Sequence, residues 1–331
     1  MITRSTPSPL PLLSAGLVTI VAGASMSLQG RANGVLGLVL GHAVYAALVS
    51  FATGLLLLVA VLICSPRSRT ATMLLIRLVR GRVLPWWMLL GGLSGALVVI
   101  AQATTVPLMG VAMFTMAFVS GQVVGGMGVD ATRLPPGGRQ RPSAFRILGV
   151  LVVIAALVLS SGERLDLGVP LWAPLLPFVS GMLTAVQQAF NDRIRLATGS
   201  AVVATTVNFV SGLILPIAIT GALLAAGVTW DGFPTAVGQW WTLLGGTLGV
   251  VFIALTARTV RRLGVLRLSL FSLFGNLAGA LALDVWLPMS SSLVSGTTAA
   301  GAALVLVGIG LTLIPGGGSG RSPSAGGPLR P

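Results

Sequence analysis

Residues 86–95 read WWMLLGGLSG, and residues 240–249 read WWTLLGGTLG. Seven of the ten positions are identical, without a gap, at an offset of 154. Downstream in the same frame, Gly110, Val111, Gly121, Gly125 and Asp130 align with Gly264, Val265, Gly275, Gly279 and Asp284, and Gln122 aligns with Asn276. Gly149 meets Gly301 at an offset of 152. Upstream, residues 23–54 match 181–212 at an offset of 158, pairing Gly23 with Gly181, Gln29 with Gln187, Asn33 with Asn191, Ala46 with Ala204, Phe51 with Phe209 and Gly54 with Gly212. Two unrelated apolar stretches share scattered residues, not a framed run. The chain is a duplication.

Composition places the duplicated unit in lipid. Of the 331 residues, 55% are apolar and 8% charged, with a mean hydropathy of +0.99. A soluble chain carries roughly 25% charged residues, so this one could not cover a water-facing surface. The 20 basic residues are all Arg. The absence of Lys excludes a Schiff base or a Walker phosphate loop, and fits a GC-rich bacterial genome. One Cys, Cys64, and one His, His42, exclude internal disulfides, thiolate clusters and multi-His metal sites. No metal or cofactor is expected, and no enzyme activity.

A membrane helix needs about 20 mostly apolar residues. Ten such spans are expected, at 11–32, 40–63, 84–106, 110–129, 145–161, 173–194, 201–224, 238–257, 264–284 and 294–314. Their apolar runs are continuous, without the alternation of barrel strands. The stretch AGAS at 22–25 resembles a signal-cleavage site, but the apolar pattern runs on through Asn33, so the first span reads as retained. The expected fold is an all-α integral membrane protein with ten transmembrane helices as two inverted five-helix repeats. Residues 1–10 form a short cytoplasmic N-terminus, 11–161 and 173–314 the two repeats, and 315–331 a disordered cytoplasmic tail.

The charges orient the spans. With the N-terminus cytoplasmic, 18 of 20 Arg lie inside, and only Arg31 and Arg164 outside. Glu163, Asp166, Asp231 and Asp284 fall outside. This is the positive-inside pattern, so the net charge of +14 faces lipid headgroups and gives no support to nucleic-acid binding. Both termini are expected in the cytoplasm of a bacterium, with the protein in its plasma (inner) membrane. An odd number of spans per repeat turns the second repeat over, an architecture that secondary transporters use with a site near the midplane.

The segments GASMSLQGRANGVLG…ALVSFATGLLLL and GMLTAVQQAFNDRI…TTVNFVSGLILP resemble the repeat of the YdcZ-like family of the drug/metabolite transporter superfamily. The shared pattern is a Gly, then Gln-x-x-x-Asn, then Ala and Ser/Asn-Phe-x-x-Gly. It departs from symmetry at Arg31, where the second copy has Ala189. The resemblance spans residues 11–314. It implies a ten-helix, EamA-like carrier of small molecules whose third, fourth, eighth and ninth helices line a central cavity.

Candidate residues follow from depth. Gln122 and Asn276 lie near mid-span, as do Ser50 and Asn208; these, with Gln102, are candidates for substrate contact. Gln29 with Asn33, and Gln187 with Asn191, are i, i+4 pairs above and below the midplane. They read equally as gates and as interhelical glue, and Gln188 could stand in for its neighbour. His42, with Tyr45, reads first as an interfacial anchor or helix start and second as a proton sensor. Trp86, Trp87, Trp240 and Trp241 read as interfacial belt residues. Gly91, Gly92, Gly95 and their mates Gly245, Gly246 and Gly249 form small faces, and Gly121/Gly125 and Gly275/Gly279 form GxxxG pairs that let helices approach closely. Asp130, Asp192 and Asp284 sit at span ends, and Arg31 and Arg193 near the mouths as flanking charges. A pathway without mid-depth charge favours a neutral, hydrogen-bonding substrate.

The function expected is secondary transport of a small molecule or metabolite by alternating access. The alternatives are a channel-like facilitator and a non-transporting assembly subunit. The partners expected are the substrate, the lipid bilayer and, left open, a second copy in a homodimer.

Overall fold

The computed structural model describes residues 9–140, 142–166, 168–289 and 295–314. The expected tail 315–331 and most of the N-terminal flank lie outside the described residues. Among those described the structure is all-helical. The helices are α1 (Pro9–Val39), α2 (Ala43–Cys64), α3 (Pro66–Arg80), α4 (Gly92–Asp130), α5 (Ala144–Asp166), α6 (Trp172–Thr198), α7 (Ala201–Gly212), α8 (Ile214–Ala225), α9 (Gly245–Trp286) and α10 (Gly296–Thr312). Short 3₁₀ turns at Trp86–Gly91 and Val237–Leu244 lead into α4 and α9. Among the described residues seven stretches, not ten, are long and apolar enough to cross a bilayer: Leu12–Val39, Ala43–Cys64, Trp86–Asp130, Ala144–Gly162, Ala201–Ala225, Val237–Val260 and Arg267–Trp286; the helices at the expected spans 173–194 and 294–314 are not among them.

Local chemistry sets the helix ends. Gly41 (φ 75°) closes α1, and the His42 ring accepts a hydrogen bond from the Val44 N–H (3.2 Å) to start α2. At the matching place in the second repeat, Gly199 (φ 69°) closes α6 and the Ser200 hydroxyl caps α7 through the Val203 N–H (3.3 Å). Ser65 ends α2 and caps α3, with Pro66 in the first turn, where a missing N–H costs nothing.

Two features depart from the expected spans. First, 84–106 and 110–129 are not separated by a loop. They are two limbs of α4, joined at Gly110, whose φ of 84° and ψ of 168° break the helix in one residue. α9 is likewise broken at Gly264 (φ 71°, ψ 167°). The break is a reversal. Gly121 and Gly125 pack on Phe178 and Met182 of α6, while Gly91 and Gly95, at the start of α4, pack on Gln187 and Phe190 of the same helix. In a straight helix these two sets would lie roughly 45 Å apart; along α6 they are roughly 13 Å apart. Second, α3 was not expected. Four Arg keep its hydropathy low, yet Ala71 and Leu75 are buried while Met73 and Ile76 are exposed, an amphipathic pattern beside the spans. The span expected at 201–224 is present as Ala201–Ala225, made of α7 and α8 meeting at Leu213, whose backbone stays helical.

Packing crosses between the two repeats. α1 lies against the second limb of α9, α6 against the second limb of α4, and α5 against α10. Each principal contact occurs twice with the repeats exchanged. A Cβ on Gly275 would strike the Ile20 carbonyl, and one on Gly121 the Phe178 carbonyl. A Cβ on Gly246 would strike Ser50, and one on Gly92 Asn208. Gly54 faces the Phe209 ring and Gly212 the Phe51 ring, and the two rings meet at 5.2 Å. Lipid supplies no hydrophobic drive between helices, so dispersion across such close approaches holds them together. The large apolar side chains that would be buried in water, among them Leu13, Leu17, Leu56, Ile63, Leu151, Val158 and Ile217, point outward instead.

Candidate functional site

The small residues of α1, α4 and α9 bring a set of amides to the centre. The first cluster gathers around Gln102 on the first limb of α4. The Asn33 amide donates to Gln102 Oε1 (2.7 Å), and Gly30 packs on the Gln102 side chain. Gln29 lies against Gly249, and Asn33 and Ser50 against Gly245. Among the described residues Gln29 Oε1 and Asn33 Oδ1 are buried without a hydrogen-bond partner. The second cluster is built around Gln187, Gly95, Asn208 and Gly91, the repeat mates of Gln29, Gly249, Ser50 and Gly245. Ser94 donates to Gln187 Oε1 (2.7 Å), Gln187 packs on Gly95, Asn208 packs on Gly91, and the Gly92 N–H donates to Ser211 Oγ (3.1 Å).

Asn33 and Gln102 act as a unit. Replacing Gln102 by Leu strands the Asn33 amide and should destabilise the protein by about 1–2 kcal/mol; replacing both by Leu should cost less than the two single changes summed. Thermal unfolding of the four proteins in detergent measures this.

Against the first cluster, sharing Gly30 and Gln102 with it, lies a small cavity lined also by Met26, Val111, Phe114, Thr115, Phe118 and Asn276, of about 10 Å³, room for one water. Phe114 and Phe118 stack beside it (6.0 Å, 12° between planes), and the Ser27 hydroxyl donates to Asn276 Oδ1 (2.7 Å). The expected contact residues are thus divided. Gln102 and Asn276 share the cavity, whereas Ser50 and Asn208 sit at helix crossings, against Gly246 and Gly92. Gln122 lies elsewhere, in an open pocket of about 170 Å³ with Asp130, Arg146, Val150 and Thr312. Gln188 is exposed on α6, and Asn191 is half-buried with its Oδ1 unpartnered. His42 is a helix cap whose ring meets Tyr45 edge-on at 5.8 Å; its counterpart Ser200 does the same work, which favours the helix-start reading over a proton sensor. Tyr45 is not an interfacial anchor. It is 1% exposed, and its hydroxyl donates to the Val228 carbonyl (2.7 Å).

Two charged residues do more than their sequence positions suggested. Asp284 closes the second limb of α9 and is 2% exposed. Its Oδ1 and Oδ2 accept from the Val111 and Ala112 N–H groups at 2.9 and 2.7 Å. The Gly110 break leaves these amides without helical partners, and a limb's N-terminus is electropositive. Arg31 is 9% exposed; its Nε and Nη1 have no hydrogen-bond partner, and Asp284 acts on it electrostatically. The sequence signal was the pairing of Asp284 with Asp130, which says nothing of what either carboxylate touches.

The two ends of the bundle are unequal. At the Gly110 end, Gly30, Gly34, Gly37 and Ala103 are buried; their counterparts at the Gly264 end, Gln188, Asp192, Arg195 and Ala257, are exposed. Met109 and Val106 are fully enclosed, whereas Gly264 is exposed with open space around it.

Bilayer-length helices, an outward apolar surface and a polar centre closed toward one end define a multi-pass membrane protein with the layout of a transporter. The family model described as "Putative inner membrane exporter, YdcZ" matches residues 14–159 and again residues 172–311. The chain therefore belongs to the YdcZ family of drug/metabolite-type membrane transporters, as its two Gln-x-x-x-Asn segments implied. That family is one of transporters rather than enzymes. No curated relative matches the chain.

Proposed function

We propose that the protein is a secondary transporter that moves a small molecule across the bacterial inner membrane by alternating access between two inverted five-helix repeats. The observation that carries this reading is the unequal packing of equivalent residues: one sequence pattern, used twice, is tight at the Gly110 end and loose at the Gly264 end. A duplicated chain that packs its copies differently has a second arrangement available, with the ends exchanged. The pathway has ten passages in this reading: α1, α2, the two limbs of α4, α5, α6, α7 with α8, the two limbs of α9, and α10. The Arg distribution then puts both termini and the Gly264 turn in the cytoplasm and the Gly110 turn outside. The conformation is closed to the outside. Export is the direction the family description favours.

The cavity residues indicate the substrate class. Gln102, Asn276 and Thr115 offer hydrogen bonds, and Met26, Phe114 and Phe118 an adaptable apolar wall. A neutral molecule with one polar edge and one apolar or aromatic face suits that lining. Its entry requires the present one-water space to expand.

Flux in proteoliposomes tests the reading, with amino acids, nucleosides, sugars and dyes as the panel. Saturable flux is expected, lowered about tenfold or more in Gln102→Ala/Asn276→Ala, since buried polar contacts to a ligand each contribute on the order of 1–3 kcal/mol. Flux that rises linearly with concentration would point to a channel. Absence of flux for every compound would favour an assembly subunit.

A further inference from the structure

We propose that Asp284 and Asp130 are alternating latches: each closes one end of the transporter by seating its carboxylate on the backbone amides of the other repeat's glycine turn. This rests on the alternating-access reading above and assigns it residues.

Asp284 is the latch now closed. It belongs to the second repeat, yet both its oxygens are held by Val111 and Ala112 of the first. It therefore joins the end of α9 to the turn of α4, two elements that must part if the Gly110 end is to open. Asp130 is its repeat mate, at the end of the second limb of α4. It is not sequestered in the same way: its side chain is 28% exposed and pairs with Arg146 at 3.0 Å. The turn that corresponds to Gly110 is Gly264, and it stands exposed with open space around it. The two carboxylates are equivalent in sequence and unequal in environment.

Exchange of the repeats predicts the other state. Asp130 would leave Arg146 and accept from the Val265 and Leu266 N–H groups, the counterparts of Val111 and Ala112. Asp284 would be released. Physical chemistry makes such a contact all-or-none. A limb N-terminus buried under the other repeat must have its amides satisfied, by a carboxylate when the end is dry or by water when it is flooded. Each latch is therefore stable only when its own end is closed. Arg146 competes with the Gly264 turn for Asp130, and so favours the present state.

Cysteine accessibility tests the idea. In a Cys64→Ser background, Thr115→Cys places one thiol on the central cavity. A membrane-impermeant maleimide is applied from each side of oriented vesicles, and the ratio of outside to inside labelling rates is read. Asp284→Asn should raise this ratio by about 5–30-fold, the population change for losing 1–2 kcal/mol from one state; Asp130→Asn should lower it by less, because it also removes the half-exposed Arg146 pair, worth about 0–1 kcal/mol, from the present state. Arg146→Gln should raise it, because Asp130 is freed. Asp284→Asn/Asp130→Asn should return it toward the parent value. Misfolding would expose the thiol from both sides and could not produce opposite signs. A ratio that moves in the same direction in both single variants, or in neither, overturns the latches. Flux of the parent protein, measured in parallel, judges the carrier reading by itself.

Discussion

Gly246→Leu is expected to prevent recovery of folded protein. The Gly246 Cα lies so close to α2 that a Cβ would overlap the Ser50 carbonyl and approach the Gly54 nitrogen to 2.7 Å. Overpacking costs about 1–3 kcal/mol when side chains can move aside. Here the obstacle is backbone, so no rotamer relieves it, and α2 must leave α9. The displacement would also separate Gly54 from the Phe209 ring and disturb the Asn33–Gln102 pair beside Gly245. Gly92→Leu should do the same at the equivalent crossing, where Asn208 and Gly212 stand in the way. Size-exclusion chromatography in mild detergent should show loss of the monodisperse peak for both. Gly221→Ala is the control: this α8 glycine has nothing within 4 Å of its Cβ position, and Ala should leave stability unchanged or raise it by about 0.5–1 kcal/mol. A monodisperse Gly246→Leu protein with parental stability would refute the close approach of α2 and α9.

Gly264→Ala isolates a different cost. Among the described residues a methyl group at this site meets no neighbour. The penalty lies in the backbone, because φ 71° with ψ 167° belongs to a region that essentially only glycine occupies. A loss of about 1–3 kcal/mol is expected, read as a lower unfolding temperature in detergent. Gly110→Ala should cost at least as much, since its turn (φ 84°, ψ 168°) also presents the two amides that Asp284 holds. Gly126→Ala, inside a regular helical limb with open space at its Cβ, should be neutral or stabilising. Equal stability of Gly264→Ala and Gly126→Ala would mean that α9 does not reverse there.

Why the limbs reverse was not visible in the chain order alone. Hydropathy averages over about 20 residues, and a break made by one glycine leaves the apolar run intact. The spacing of Gly110 and Gly264 at the repeat offset was legible; their positive φ was not. α3 is hidden in the sequence for the opposite reason: its Arg residues mask an apolar face that the fold sets against Leu84, Met88 and Ile194 through Leu75.

The amides divide the same way. The i, i+4 spacing placed Gln29 with Asn33 and Gln187 with Asn191 on common helix faces, since helical periodicity is a local property. That Asn33 bonds Gln102, 69 residues away, while Gln122 lies apart from Asn276, depends on which helices meet, and in lipid that choice is made by small-residue contacts between distant segments. The sequence by itself determined a duplicated, helical membrane protein of the YdcZ family, because composition, period and repeat frame are carried residue by residue. Only the tertiary structure decided that equivalent residues are unequal. Asp284 is buried on the amides of Val111 and Ala112 while Asp130 faces Arg146. The two copies carry one pattern and are packed tightly at the Gly110 end alone, and nothing local to either copy says which end that is.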